Sequence, residues 1–228
     1  MSQIKEIPII CINLARAKDR REYIEQEWIG NKGCPVHFIE AFDRRSIDEG
    51  NLPSAYNKET AMKYLKRYLS NGEIACNVSQ YSAVKYAKDN GWEQVIIIED
   101  DAEPLFNSYE QLNQVIANMH HEFPESTVAL LHNAFSSKAY KLGEVKEYFS
   151  KVTKASYGCT GYYLHNKAYD KLNSFFSSFQ RPVDWYWDDF ASMNQLVKPT
   201  NSLINHIGAN TYVGNDFRGK ISHRQYID

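Results

Sequence analysis

Gln94-Val95-Ile96-Ile97-Ile98-Glu99-Asp100-Asp101 is the stretch on which the fold turns. Four consecutive β-branched residues make a strand buried on both faces, the kind found in parallel sheets covered by helices. The strand runs straight into three acids. In an open α/β sheet ligands bind beyond the carboxyl ends of the strands, which puts Glu99, Asp100 and Asp101 at a binding edge. Three adjacent carboxylates repel one another unless a positive charge is shared. A divalent cation, Mn²⁺ or Mg²⁺, explains them more economically than solvated acids capping the next helix, although that bland reading stays open.

Working outward, Ile7 to Leu14 is a second apolar run at the start of the chain. A charged stretch follows with Ile24 and Trp28 on one face of a helix, ending near Gly30 and Gly33, and Cys34 to Ala41 is a further strand. Strand, helix, strand implies a parallel α/β layout. Residues 42–71 read as a long excursion with a helical piece around Thr60 to Tyr68. Helices are predicted over Asn77 to Asn90 and along the stripe Tyr109, Leu112, Ile116 and Met119. Strands are predicted over Thr127 to Leu131 and Ser156 to Leu164. Lys138 to Lys154 reads as a flap or hairpin. Ala168, Leu172, Phe175, Phe176 and Phe179 form a helical stripe with Asn166 as its cap. From Gln180 on, the chain reads as loop with short apolar pieces. No linker or repeat divides residues 1–228, so one domain is expected.

The chain has 228 residues, 43% of them apolar and 24% charged, with a net charge of −2. That balance gives no electrostatic reason to expect a nucleic-acid partner. No run reaches the length needed to span a bilayer, so any membrane association is expected to be peripheral. Cys11, Cys34, Cys76 and Cys159 are scattered without a C-x-x-C pair, the pattern of reduced thiols in a cytoplasmic protein. A 14% aromatic content suits stacking on ring-shaped ligands and a bulky core equally.

Several segments together resemble glycosyltransferase family 25. They are Ile12-Asn13-Leu14-Ala15-Arg16 with Asp19-Arg20-Arg21, Phe38-Ile39-Glu40-Ala41-Phe42-Asp43, Gly72-Glu73-Ile74-Ala75-Cys76-Asn77-Val78-Ser79-Gln80, and the intact Glu99-Asp100-Asp101. Gly158-Cys159-Thr160-Gly161-Tyr162-Tyr163 and Pro182-Val183-Asp184 complete the order. Ala75 stands where the family has glycine, and Gln80 where it has histidine. The resemblance implies a GT-A architecture: a Rossmann-like, mostly parallel sheet flanked by helices, with an acidic metal motif at a strand end. It implies an inverting, metal-dependent transferase that moves a hexose, galactose before others, from a UDP-sugar to a cell-surface glycan such as lipooligosaccharide. A donor-binding half over about residues 1–130 and an acceptor and catalytic half over about 131–228 follow from it.

By the same likeness Asp101 is the first metal ligand, with Asp100 and His206 as further ones. Asn13, Leu14, Arg16, Glu99 and Asp100 would face the nucleotide. A cation there stabilises charge on the departing UDP without proton transfer. Arg20 and Arg21 read as surface charges. An inverting transfer also needs a base for the acceptor hydroxyl. Asp184 matches the family element and lies among aromatic rings that would raise its pKa; Asp188 and Asp189 are the alternatives. Trp185, Trp187 and His132 are placed at the acceptor. A lipid-linked acceptor would bring the protein to the inner membrane face, but no basic amphipathic helix announces it. A metal-dependent phosphohydrolase or nucleotidyltransferase, and a non-catalytic carbohydrate-binding module, are the competing classes.

Overall fold

The computed structural model describes residues 6–48, 50–132, 141–154 and 158–207. The chain opens with β1 (Ile9–Asn13), α1 (Lys18–Ile24) continuing as a π-helical segment (Glu25–Asn31), and β2 (Val36–Glu40). Gly33, at φ +70°, ends the helical stretch where a side chain would be strained. Then come α2 (Lys58–Leu65), α3 (Asn71–Asp89), β3 (Gln94–Glu99), β4 (Ala102–Pro104), α4 (Tyr109–Glu122) and β5 (Val128–Leu130). The last part holds β6 (Lys141–Val145), β7 (Phe149–Lys154), β8 (Gly161–His165), α5 (Tyr169–Phe176), α6 (Trp187–Ser192), β9 (Leu196–Pro199) and β10 (Ile204–His206).

Eight strands form one sheet in the order β2-β1-β3-β8-β5-β9-β7-β6, and only β7 and β8 run against the other six. The expected α/β class, with a mostly parallel sheet flanked by helices, is what the chain forms. Alternation along β1 and β3 explains the layering. Ile10, Ile12, Val95 and Ile97 point into one core with α3 and α5, while Ile9, Cys11, Ile96 and Ile98 point into a second core with Trp28 and α4. Each fully buried isoleucine contributes about 1.5–3 kcal/mol, so both faces of these strands hold the layers together.

Some elements differ from the sequence expectation. Helix α3 begins at Asn71, six residues before the predicted start, because Ser70 and Glu73 form a reciprocal capping box. The cap ahead of α5 is His165, which accepts from the Lys167 N–H, and not Asn166. Residues 180–207 are more ordered than a loop: a 3₁₀ turn (Val183–Tyr186), α6, β9 and β10 follow one another. The apolar pieces there are too short to show a period but long enough to be buried. β6 and β7 pair as the anticipated hairpin, with residues 138–140 outside the described residues, as are the first two of the strand expected from Ser156. All four cysteines are free thiols. Among the described residues no helix is long and apolar enough to cross a membrane.

Candidate active site

Strand register builds the site. β1 and β3 are parallel neighbours with Ile12 beside Glu99, so Asn13 and Asp100 emerge together at the carboxyl edge of the sheet. Asn13 Nδ2 donates to Asp100 Oδ2 at 2.8 Å and to the Ala17 carbonyl at 3.2 Å, tying the acidic motif to the turn that starts α1. Trp28 Nε1 donates to the Ala102 carbonyl at 2.8 Å, clamping the helical stretch against the segment after the acids. That clamp orients Arg20. Its Nη1 lies 2.6 Å from Asp100 Oδ1 and 3.2 Å from Asp101 Oδ2, with only 15% of its side chain exposed. The surface role expected of Arg20 is therefore corrected: helical phase turns Arg20 onto the acids, while Arg21 faces out to Glu25 and the Phe38 ring.

An open cleft of about 670 Å³ lies over this edge. Asn13 is 5% exposed behind it, and Leu14, Arg16, Glu99, Asp100 and Asp101 line it together with Arg20, Phe42, Asp43 and Arg44. The opposite wall is the first half of α3, with Gly72, Ala75, Cys76, Ser79 and Gln80. Arg16 Nε pairs with Asp43 Oδ2 at 2.9 Å, and this bond holds the Asp43 carboxyl below its usual range. The Phe42 N–H donates to Ser79 Oγ at 2.8 Å, which fixes the loop after β2 on the helix. Three guanidinium groups and four carboxylates thus share one cleft, a surround able to hold an anion together with a cation.

Glu99 faces α3. Gln80 donates through Nε2 to Glu99 Oε1 at 3.4 Å and accepts through Oε1 from the buried Tyr162 hydroxyl. Burial, helped by Asp101, Asp100 and Asp184, raises the Glu99 carboxyl to about 8. The residue at position 80 is thus a neutral link between Tyr162 and Glu99, and burial pushes the neighbouring Cys76 thiol up as well.

The acids differ in what they have left to offer. Both Asp100 oxygens accept hydrogen bonds, one from Arg20 and one from Asn13. Each of these oxygens accepts one of those two bonds and keeps a second lone pair, so Asp100 retains coordinating capacity beside Asp101. Asp101 Oδ1 is buried with no hydrogen-bond partner, while Oδ2 lies 3.2 Å from His206 Nε2. β10 pairs antiparallel with β4, setting His206 opposite Ala102, and the Ile207 N–H donates to the Asp101 carbonyl at 2.9 Å. Asp101 raises the His206 pKa. Among the described residues no three His, Cys, Asp or Glu side chains converge as a closed metal cage. An orphaned carboxylate oxygen with an imidazole beside it nonetheless fits Mg²⁺ or Mn²⁺, which take one or two carboxylates and complete their shell with phosphate and water.

Asp184 is the second residue of the 3₁₀ turn, which packs against α3. Its Oδ2 accepts the Gly158 N–H at 2.9 Å, and burial raises its pKa to about 6. Its charge reaches Glu99 and Cys76, which line the cleft. Asn77, fully buried, donates to the Arg181 carbonyl at 3.2 Å and ties this turn to α3. Asp189 is ion-paired with Arg181, and Asp188 is exposed on α6. Trp185 is half-buried. Trp187 is fully buried, donating from Nε1 to the Gly158 carbonyl at 3.1 Å, so it packs the core against Tyr162 and has no free face for a sugar. His132 is likewise corrected from the acceptor surface to the interior. It is 2% exposed, its Nδ1 is 3.0 Å from the Gly161 carbonyl, and its Nε2 would lie 2.8 Å from a Cβ at Gly158, which leaves no room for a side chain there.

A family model described as glycosyltransferase family 25 (LPS biosynthesis protein) matches residues 6–187. The chain belongs to that family. Its acidic motif, its α3 wall and Asp184 all fall within the matched span. Human procollagen galactosyltransferase 2 is 35% identical over 97 residues, and the mouse protein 34% over 97 residues. Each match covers 41% of this chain and 15% of the relative, so the family 25 chain spans a small part of the curated relatives it matches. Among solved structures it is similar to a glycosyltransferase involved in glycosylation of the major capsid of PBCV-1, at 7% identity and a TM-score of 0.49 over 90% of this chain and 94% of that one. It is also similar to apo UDP-glucose pyrophosphorylase, at 12% identity and a TM-score of 0.46 over 85% and 90%.

Proposed function

We propose that this chain is an inverting glycosyltransferase that moves a hexose, galactose before others, from a UDP-sugar to a cell-surface glycan. The observation that carries the reading is the orphaned Asp101 Oδ1 at the end of β3, in a cleft that Arg16, Arg20 and Arg44 also line. A diphosphate needs positive partners, and a buried carboxylate oxygen without one needs a cation. Family membership and the galactosyltransferase names of the two relatives support the class of donor sugar.

Asp101 and His206 would hold Mn²⁺ or Mg²⁺, which when bound supplies a Lewis acid for the departing diphosphate. Asn13 keeps Asp100 in place, and Arg16 and Arg44 face the nucleotide beside Leu14 and Glu99. Asp184 acts as the base. As the acceptor oxygen bonds to the anomeric carbon, its proton passes to the Asp184 carboxylate, and the bond to UDP breaks with the electron pair leaving on the diphosphate. A pKa near 6 leaves Asp184 ionised at neutral pH yet basic enough to take that proton.

The donor half is assigned to about residues 1–130, a reading supported by a cleft lining that ends at Asp101, with His206 reaching the cation from the second half. The acceptor half lies in residues 131–228, in one domain working in the cytoplasm. Calorimetric titration with UDP, with and without Mn²⁺, followed by a panel of UDP-sugars, tests this. Metal-dependent UDP binding with one preferred hexose is expected. No UDP binding in either condition overturns the reading and favours a phosphohydrolase or a glycan-binding module.

A further inference from the structure

The segment from Lys58 to Tyr68 carries four basic residues against one acid, Glu59, in a chain whose net charge is −2. α2 turns Ala61 into the core with Leu65 packed behind it, and its cap at Asn57 accepts from the Thr60 N–H. The outward side is unusual. Tyr64 is 63% exposed and Tyr68 50%, more than core-building aromatics show, and Lys63 and Lys66 are exposed beside them. Lys58 lies over the Tyr68 ring at 4.9 Å. Among the described residues neither Lys63 nor Lys66 makes an ion pair, so their charge is not spent within the protein.

We propose that this face docks the protein on an anionic lipid surface. Phenol rings with an apolar body and a polar tip settle at the headgroup level, and long lysine side chains reach phosphate oxygens from the same depth. Each lysine near an anionic leaflet strengthens binding about fivefold. Two exposed tyrosines alternating with unpaired lysines supply both attractions over the last turn of α2 and the residues that follow it. The patch is held rigidly. Arg67 makes a two-pronged contact with Glu73 at 2.8 and 2.7 Å, and Glu73 completes the capping box of α3. The first turns of α3 line the cleft, so the docking face and the cleft wall belong to one continuous piece of chain. A membrane-held acceptor would be met there, and in that use the inference rests on the proposed transfer reaction. The docking itself does not depend on donor or acceptor.

Flotation of the full chain with phosphatidylcholine vesicles, with and without about one-third phosphatidylglycerol, tests this. Binding to the anionic vesicles alone, weakened by salt, is expected. Lys63→Glu with Lys66→Glu should weaken it roughly tenfold or more, and Tyr64→Ser with Tyr68→Ser severalfold, with UDP affinity unchanged in both. Equal recovery with neutral and anionic vesicles, full binding by the lysine variant, or capture by heparin without vesicle binding overturns the proposal. Because vesicle binding is read without nucleotide, its failure is distinct from failure of the transferase reading.

Discussion

Arg20 Nη1 stands 2.6 Å from Asp100 Oδ1 and also reaches Asp101, so one guanidinium bridges two adjacent carboxylates 80 and 81 residues away in the chain. The pair is mostly buried, and removing one member leaves charge without a partner. Arg20→Gln should lower unfolding stability by about 1–3 kcal/mol at neutral pH, read by urea denaturation. In the double variant with Asp100→Asn the two losses should fall short of their sum. Strict additivity would mean that the contact carries no energy.

Asp101→Ala tests the cation assignment. The side chain sits at a strand end, so the fold should survive, while Mn²⁺-dependent UDP affinity should fall roughly a hundredfold by calorimetry. His206→Ala should lose a smaller factor, because an imidazole contributes less than a carboxylate to a hard cation. UDP affinity with Mn²⁺ that is unchanged in Asp101→Ala would remove Asp101 from the role.

The Asp184 carboxyl lies at about 6 in the fold against an ordinary 3.8, mainly through burial. A raised acid stabilises the fold only while protonated. That contribution is complete below about pH 4 and is gone once pH passes about 6. Asp184→Asn should therefore be more stable than the parent at pH 7.5, by about 1–2 kcal/mol, and nearly equal to it at pH 4. Transfer should rise with pH through about 6 in the parent and be lost in the variant, with UDP binding retained. Normal turnover by the variant would move the base to Asp188 or Asp189.

Gly161 packs where a Cβ would come within 2.3 Å of Ile204 Cδ1, and Ile204 is fully buried. Gly161→Ala should destabilise the protein by about 1–3 kcal/mol by overpacking and should disturb β10, which carries His206. Ile204→Ala alone should cost about 2–5 kcal/mol through the cavity it leaves, and the double variant should lose less than the sum of the two single losses. Strict additivity of the two would rule out the clash as the cause.

Much of the donor edge was legible from local sequence. Val95 to Ile98 announced a doubly buried strand, and the acids following it could only fall at the sheet edge. Position 80 stood out as a glutamine in a family box, although its link between Tyr162 and Glu99 is visible only in three dimensions. The start of α3 could have been found from Ser70-x-x-Glu73, a capping box that the helical stripe over 77–90 does not reveal. Trp187 and His132 were misplaced for one reason: an aromatic or imidazole near a functional motif reads the same whether it faces a ligand or the core. Only packing against Tyr162 and Gly158 separates the two.

By itself the sequence determined the α/β class, the order of the first strands and the place of the acidic motif, because period and burial are properties of neighbouring residues. Tertiary structure alone decided which charges meet. Arg20 joins Asp100 through the phase of a helix clamped by Trp28, and His206, expected beside Asp101 only through the family likeness, reaches it through a strand pairing across 105 residues. Such contacts depend on how distant elements pack. No spacing along the chain encodes them.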